Sequence, residues 1–209
     1  MIAKPKGCEG CPLYKKGRGF VPDSIPNGAQ YVMVGEAPGA GEVAQGVPFV
    51  GQAGFVLKEW GIRAVPDIAI APIGYANVLR CLPPKVHGRA YPQGKERAAA
   101  EVHCRVYDKW PGDATFVLLG EMPQRLLFGP ELHQEDVLDR RAGRELKGVF
   151  GRVGRERVVG ETRYIFAPHP SAVLRQPALV QHLQRALEIA SGAQKIFESK
   201  RVDNMRIFL

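Results

Sequence analysis

Ala29-Gln30-Tyr31-Val32-Met33-Val34-Gly35, followed at once by Glu36-Ala37-Pro38-Gly39-Ala40-Gly41-Glu42, decides the fold class. The first half is a short, apolar, β-branched run that stops at a glycine, the pattern of a strand buried on both faces in a parallel sheet. The second half is a glycine-rich turn at that strand's carboxyl end, where open α/β sheets bind ligands. Three further runs resemble the first: part of Ile68–Val78, shortened by Pro72 and Gly74, then Ala114–Gly120 and Arg163–Ala167. Helical spacing lies between them at Gly54–Trp60, Lys95–Trp110 and Pro123–Phe128. A last amphipathic helix over Pro177–Lys200 sets Leu179, Leu183, Leu187 and Ile196 near one face. Strands alternating with helices predict an α/β fold around a small, mainly parallel, four-stranded sheet. No repeat or low-complexity tract divides the 209 residues, so a single domain over 1–209 is expected, with 1–28 as an irregular arm rich in Gly, Pro, Lys and Cys.

The composition is that of an ordinary globular chain: 45% hydrophobic, 24% charged and 8% aromatic. The longest apolar runs fall far short of the roughly 20 residues of a membrane-spanning helix. The N-terminus meets Cys8 and Pro12 before any apolar stretch, so no secretory leader is expected and the cytoplasm is the expected compartment. Twenty-nine Lys and Arg against 21 Asp and Glu leave a net charge of +8. That excess suits a polyanionic partner, or serves solubility alone.

The four cysteines are Cys8, Cys11, Cys81 and Cys104. Disulfides are disfavoured in a cytosolic chain. A redox pair at Cys8 and Cys11 would follow a strand and open a helix, whereas this pair lies in the Gly/Pro-rich arm. A tetrathiolate metal centre uses all four, as a zinc ion or an iron–sulfur cluster, and would tie the N-terminal arm to the main body; the 23 positions between Cys81 and Cys104 suit a cluster, whereas zinc usually takes two close pairs.

Four segments carry candidate chemistry. Gly35–Glu42 offers backbone N–H groups to an anionic or carbonyl oxygen, yet lacks the spacing of either nucleotide-binding glycine motif. Val47-Pro48-Phe49-Val50-Gly51-Gln52-Ala53-Gly54 sets a phenylalanine between proline and glycine, as core filler or as a platform for a planar base. Ala76-Asn77-Val78-Leu79-Arg80-Cys81-Leu82-Pro83-Pro84 puts an amide at a strand end, able to read the edge of a base or to cap a turn. Ala167-Pro168-His169-Pro170-Ser171-Ala172-Val173-Leu174-Arg175 fixes the backbone on both sides of an imidazole.

In this order, with the cysteines interleaved, these segments resemble the iron–sulfur uracil-DNA glycosylases, the family 4 branch of the uracil-DNA glycosylase superfamily. The resemblance runs from Cys8 to about Arg175. It implies a three-layer α/β/α sandwich, a [4Fe–4S] cluster held by Cys8, Cys11, Cys81 and Cys104, and monofunctional hydrolysis of the bond between uracil and deoxyribose. By the same resemblance Phe49 stacks on the flipped base, Asn77 pairs with uracil O4 and N3–H, and His169 donates to O2. The Glu36–Ala37 turn lies near that oxygen, and Glu36 or Glu42 directs the attacking water, with a wall against the C5-methyl of thymine as the alternative role for Glu42. The Pro170-Ser171 pair grips phosphate, while Leu174 and Arg175 enter the gap left by the base. Departures from the family pattern are a long Pro84–Cys104 stretch, with His87 as a remote candidate for covalent capture of the sugar, and Glu121 where a small residue is usual. Another substrate base, or a silent DNA-binding role, stays open. The expected chain is a monomer, and its apolar end, Met205–Leu209, is a tail for a partner such as a sliding clamp or merely packed.

Overall fold

The computed structural model describes residues 2–84, 95–104, 110–128 and 156–192. Five strands form one sheet: β1 (Tyr31–Gly35), β2 (Ile73–Asn77), β3 (Thr115–Leu119), β4 (Glu156–Val159) and β5 (Thr162–Ala167), in the order β2-β1-β3-β5-β4. The four expected strands are β2, β1, β3 and β5, and all their pairings are parallel. The sheet is one strand wider than expected. β4 joins β5 antiparallel through a tight turn in which Gly160 takes a φ of 60°, a left-handed backbone glycine adopts without strain. With Val158 and Val159 more than half exposed at the sheet's edge, β4 lacks the alternation that marks a half-buried strand.

Helices cover both faces, giving the three-layer α/β/α sandwich. One layer buries Met33, Val117, Leu119 and Ile165 beneath Val56, Leu57, Leu183 and Leu187. The opposite face buries Val32, Val34, Phe116, Leu118 and Phe166 with Met122. A third, smaller cluster joins Leu13, Leu79 and Ala100 to Cys81 and Cys104, with Cys11 and Ala37 packed against it.

The helical segments differ in detail from their sequence pattern. Gln52–Phe55 is α-helical and passes into a wider π-helical turn over Val56–Gly61. Pro66–Ala69 is helical, so the strand after it begins only at Ile73. The last helix spans Val180–Ser191 after a 3₁₀ turn at Pro177–Leu179, and closes at Gly192 with φ 77°, the left-handed glycine cap of a helix end. Ile196 and the rest of the expected helix lie outside the described residues, as do His87 and Met205–Leu209.

The N-terminal arm is more ordered than its composition suggests. A 3₁₀ turn over Lys6–Gly10 carries Cys8, and isolated antiparallel bridges pair Arg18 with Leu82 and Ser24 with Tyr75. Arg80, 1% exposed, donates to both carboxylate oxygens of Asp23 at 3.1 and 2.6 Å and to the Cys104 carbonyl at 2.8 Å. Among the described residues no helix is long and apolar enough to cross a membrane.

Candidate active site

The chain passes from β1 outward to β2 and then to β3 on the other side of β1. Ligands of such sheets bind where the direction reverses, outside the carboxyl ends of the strands. Three of the four segments singled out above leave that edge directly, Gly35 ending β1, Asn77 ending β2 and His169 following β5, with Gly120 following β3 beside them; the Phe49 segment reaches the edge through its ring, which lies over Gly35. Neighbouring strands are about 4.8 Å apart, so the four strand ends span roughly 15 Å.

Glycines set how closely the side chains approach. A β-carbon on Gly35 would lie 2.6 Å from Asn77 Oδ1 and 2.7 Å from Phe49 Cζ; the bare backbone brings amide and ring together over the end of β1. A β-carbon on Gly54 would fall 2.0 Å from the Phe49 carbonyl oxygen. Phe49 has a φ of 56°, alone among the described non-glycine residues in being positive. Its ring stands 5.7 Å from that of Tyr75, over which Lys58 Nζ sits at 4.9 Å. Asn77 is 4% exposed, and its amide makes no hydrogen bond among the described residues. Buried amides are nearly always paired, so one left open at the carboxyl edge of the sheet is suited to a ligand.

His169 caps the Pro170–Arg175 helix. Its Nδ1 accepts from Ser171 N–H at 3.1 Å and lies 2.7 Å from Ser171 Oγ. An accepting Nδ1 leaves the proton on Nε2. Burial, helped by the Arg175 charge, pushes the imidazole down to about 4, so the ring is neutral at physiological pH. Gly120, with φ 89°, makes room for it, since a β-carbon there would meet His169 Cβ at 2.9 Å. On the same helix Pro170 and Val173 are buried while Leu174 and Arg175 are exposed.

The acidic candidates differ. Glu36 is partly buried directly after β1 and carries an interaction of its own. Glu42 stands in the first turn of the Ala40–Gln45 helix, where its Oε2 accepts from Gly39 N–H and its Oε1 from Phe49 N–H. Ala37 leans on the cysteine-bearing cluster, and Glu121 is exposed at the start of the Glu121–Phe128 helix.

Cys8, Cys11, Cys81 and Cys104 line one cavity together with Lys4, Tyr14, Phe20 and Arg80. Burial, reinforced by the neighbouring thiols, pushes Cys81 up to about 12, and burial pushes Cys104 up to about 11; Lys4 opposes the first shift and Arg80 the second. Among the described residues no group of three or more His, Cys, Asp or Glu side chains is placed to hold a single metal ion. The four cysteines share the lining of one cavity.

The sequence signalled Phe49, Asn77 and His169, but not what fixes them. Gly120 carried the same signal as Gly35, a glycine ending an apolar strand. Tyr75 and Lys58 carried none, because their meeting depends on the path of the chain between Phe49 and β2.

The family model of the uracil DNA glycosylase superfamily matches residues 22–190. A type-4 uracil-DNA glycosylase of Pyrobaculum aerophilum is 30% identical over 188 residues, covering 90% of this chain and 89% of the relative. One of Archaeoglobus fulgidus is 30% identical over 86% of this chain and 84% of its own length, and one of Thermotoga maritima is 37% identical over 45% and 46%. With the model matched across every strand of the sheet and relatives aligned over most of their length, the chain belongs to the uracil-DNA glycosylase superfamily, in its type-4 branch.

Proposed function

We propose that the protein is a monofunctional DNA-repair glycosylase that hydrolyses the N-glycosidic bond of uracil in DNA and leaves an abasic site. The observation that carries this reading is the open amide of Asn77 held against the Phe49 ring over the end of β1. A planar base stacked on Phe49 presents its edge to Asn77, whose amide offers an acceptor for N3–H and donors for O4. Cytosine, with a donor at position 4 and an acceptor at N3, mismatches both contacts. The type-4 uracil-DNA glycosylase relatives support uracil as the base.

Catalysis needs stabilisation of the charge that collects on the leaving base while positive charge grows at C1′. Neutral His169 donates its Nε2–H to O2 without a prior proton transfer, and the Glu36–Ala37 backbone lies near the same oxygen. Glu36 orients water on the opposite face of the sugar. As C1′–N1 breaks, the water oxygen bonds C1′ and its proton is balanced by protonation of the departing uracil. Leu174 and Arg175 enter the gap left by the flipped nucleotide, and Pro170 and Ser171 contact the neighbouring phosphate. The DNA partner follows from the family. The monomeric state, the cytoplasmic compartment and the single domain over 1–209 complete the proposal.

Cys8, Cys11, Cys81 and Cys104 fit a [4Fe–4S] cluster by their shared buried cavity. Bound there, the cluster cross-links the arm to the main body and supplies no step of the reaction.

Uracil release from a single-stranded oligonucleotide with one uracil, by protein purified without oxygen and assayed for iron, tests the reading. Release of free uracil is the expected result. Binding without release, or release of hypoxanthine or a modified pyrimidine in place of uracil, overturns it.

A further inference from the structure

Phe49 carries a side chain in a backbone conformation that ordinarily belongs to glycine. Such a conformation persists only when its surroundings over-determine it, and outliers of this kind collect at functional sites. Three features hold it here. The close approach of the Phe49 carbonyl to Gly54 leaves no room for a β-carbon there, the ring is seated on Gly35 and flanked by Tyr75, and the Phe49 N–H is taken by Glu42. The other oxygen of the same carboxylate takes the N–H of Gly39, in the loop that follows Glu36.

We infer that Glu42 is a positioning residue that fixes the left-handed backbone of Phe49 and ties the base-stacking platform to the Glu36–Gly39 loop, and that it does not activate the water. A carboxylate that accepts one backbone N–H on each oxygen is oriented along those two donors. It holds two loops at a set distance: one carries the ring that faces the base, the other the carboxylate that faces the sugar. Glutamate suits the span because each oxygen reaches a different segment. Glutamine would turn an N–H₂ toward one of the two donors, and aspartate is one methylene too short to reach both. The inference rests on the reading of Phe49 as the platform for the base.

The test is a double-substitution cycle in the full protein, read by inhibition with free uracil and by turnover at saturating single-stranded substrate. Glu42→Gln is expected to weaken uracil inhibition about tenfold, close to the effect of Phe49→Ala, as suits loss of one stacking contact. The doubly substituted protein is expected to be no worse than Phe49→Ala alone, because residues acting through one contact are not additive. Glu42→Asp keeps the charge and is expected to follow Glu42→Gln. If Glu42→Gln leaves uracil inhibition intact while abolishing saturated turnover, or if the two effects multiply, Glu42 acts directly on the reaction and the inference is lost. Hydrogen exchange of the Phe49 amide gives a reading independent of activity: slow in the parent and fast in both Glu42 variants, with iron content unchanged. Equal protection in parent and variants also overturns the inference. Should the parent protein release no uracil, the proposed function fails, while the exchange measurement still decides the role of Glu42.

Discussion

Gly35 is the residue on which the site turns. Its missing β-carbon lets the Phe49 ring and the Asn77 amide share the end of β1. Gly35→Ala is expected to displace one or both, lowering base release by about 100-fold or more, since misplacement by about 1 Å is enough for such a loss. Gly35 has an ordinary φ and the atoms a β-carbon would meet are side-chain ends, so the fold should persist at a cost of about 1–3 kcal/mol for overpacking beside the buried Phe49 ring, and a retained cooperative thermal transition is the control. His169 yields a second expectation. Its imidazole lies near 4 in the folded protein against about 6.5 when free. Between those values the unfolded chain takes up a proton that the folded one excludes, so stability falls as pH drops from about 6.5 toward 4 and is unaffected above. His169→Ala should flatten that slope in denaturant titrations at pH 7 and pH 5. Base release in the parent should show no limb near 6.5, and a limb there would mean that the cation and not the neutral ring does the work.

Elements were legible where burial imposes a pattern. The four parallel strands are buried, and their apolar runs marked them within a few residues; β4 is four residues long, exposed and at the edge, so nothing in Glu156-Arg157-Val158-Val159 required a strand until Gly160 turned the chain back along β5. The last helix ends at Gly192, which a pattern of leucines at helical spacing passes over. That helix end is tied to the sheet by Arg163 of β5, which donates to the carbonyls of Ala190 and Ile189 at 3.2 Å each and to Glu156 of β4 at 2.5 Å. One side chain thus joins the edge hairpin to the last turn of the helix, where the Ile189 carbonyl also accepts from Gly192 N–H at 3.1 Å. Arg163→Met keeps the aliphatic stem and removes the donors. It is expected to cost about 1–2 kcal/mol of stability, the worth of one or two charge-assisted hydrogen bonds with partial exposure. Denaturant unfolding measures that loss, and base release should stay unchanged because the carboxyl edge of the sheet is untouched.

At the scale of the molecule the cysteine layer and the site are mechanically continuous, and this could not be read from spacing alone. The sequence suggested a centre that pins the arm; the packing adds that Ala37, next to Glu36, leans on the same small cluster as Cys11, Cys81 and Cys104. Arg80, beside Cys81, binds the arm through Asp23 and the Lys95–Cys104 helix through the Cys104 carbonyl. Buried thiols held near 11 and 12 resist ionisation, so a metal centre must displace their protons, and loading it into this cavity releases them. Cys11→Ala removes one corner while leaving the Arg80 network in place. Two results are expected together: loss of the iron and its visible absorbance, and a fall in uracil release even though no cysteine is among the residues assigned to the base, the sugar or the water. Hydrogen exchange separates the routes by which activity is lost. Faster exchange at residues 36–39 with β3 and β5 unchanged is expected if the layer supports the loop after β1 through Ala37. Faster exchange throughout the sheet would mean that the centre holds the whole fold, and full activity in the iron-free variant would show that the loop stands without it.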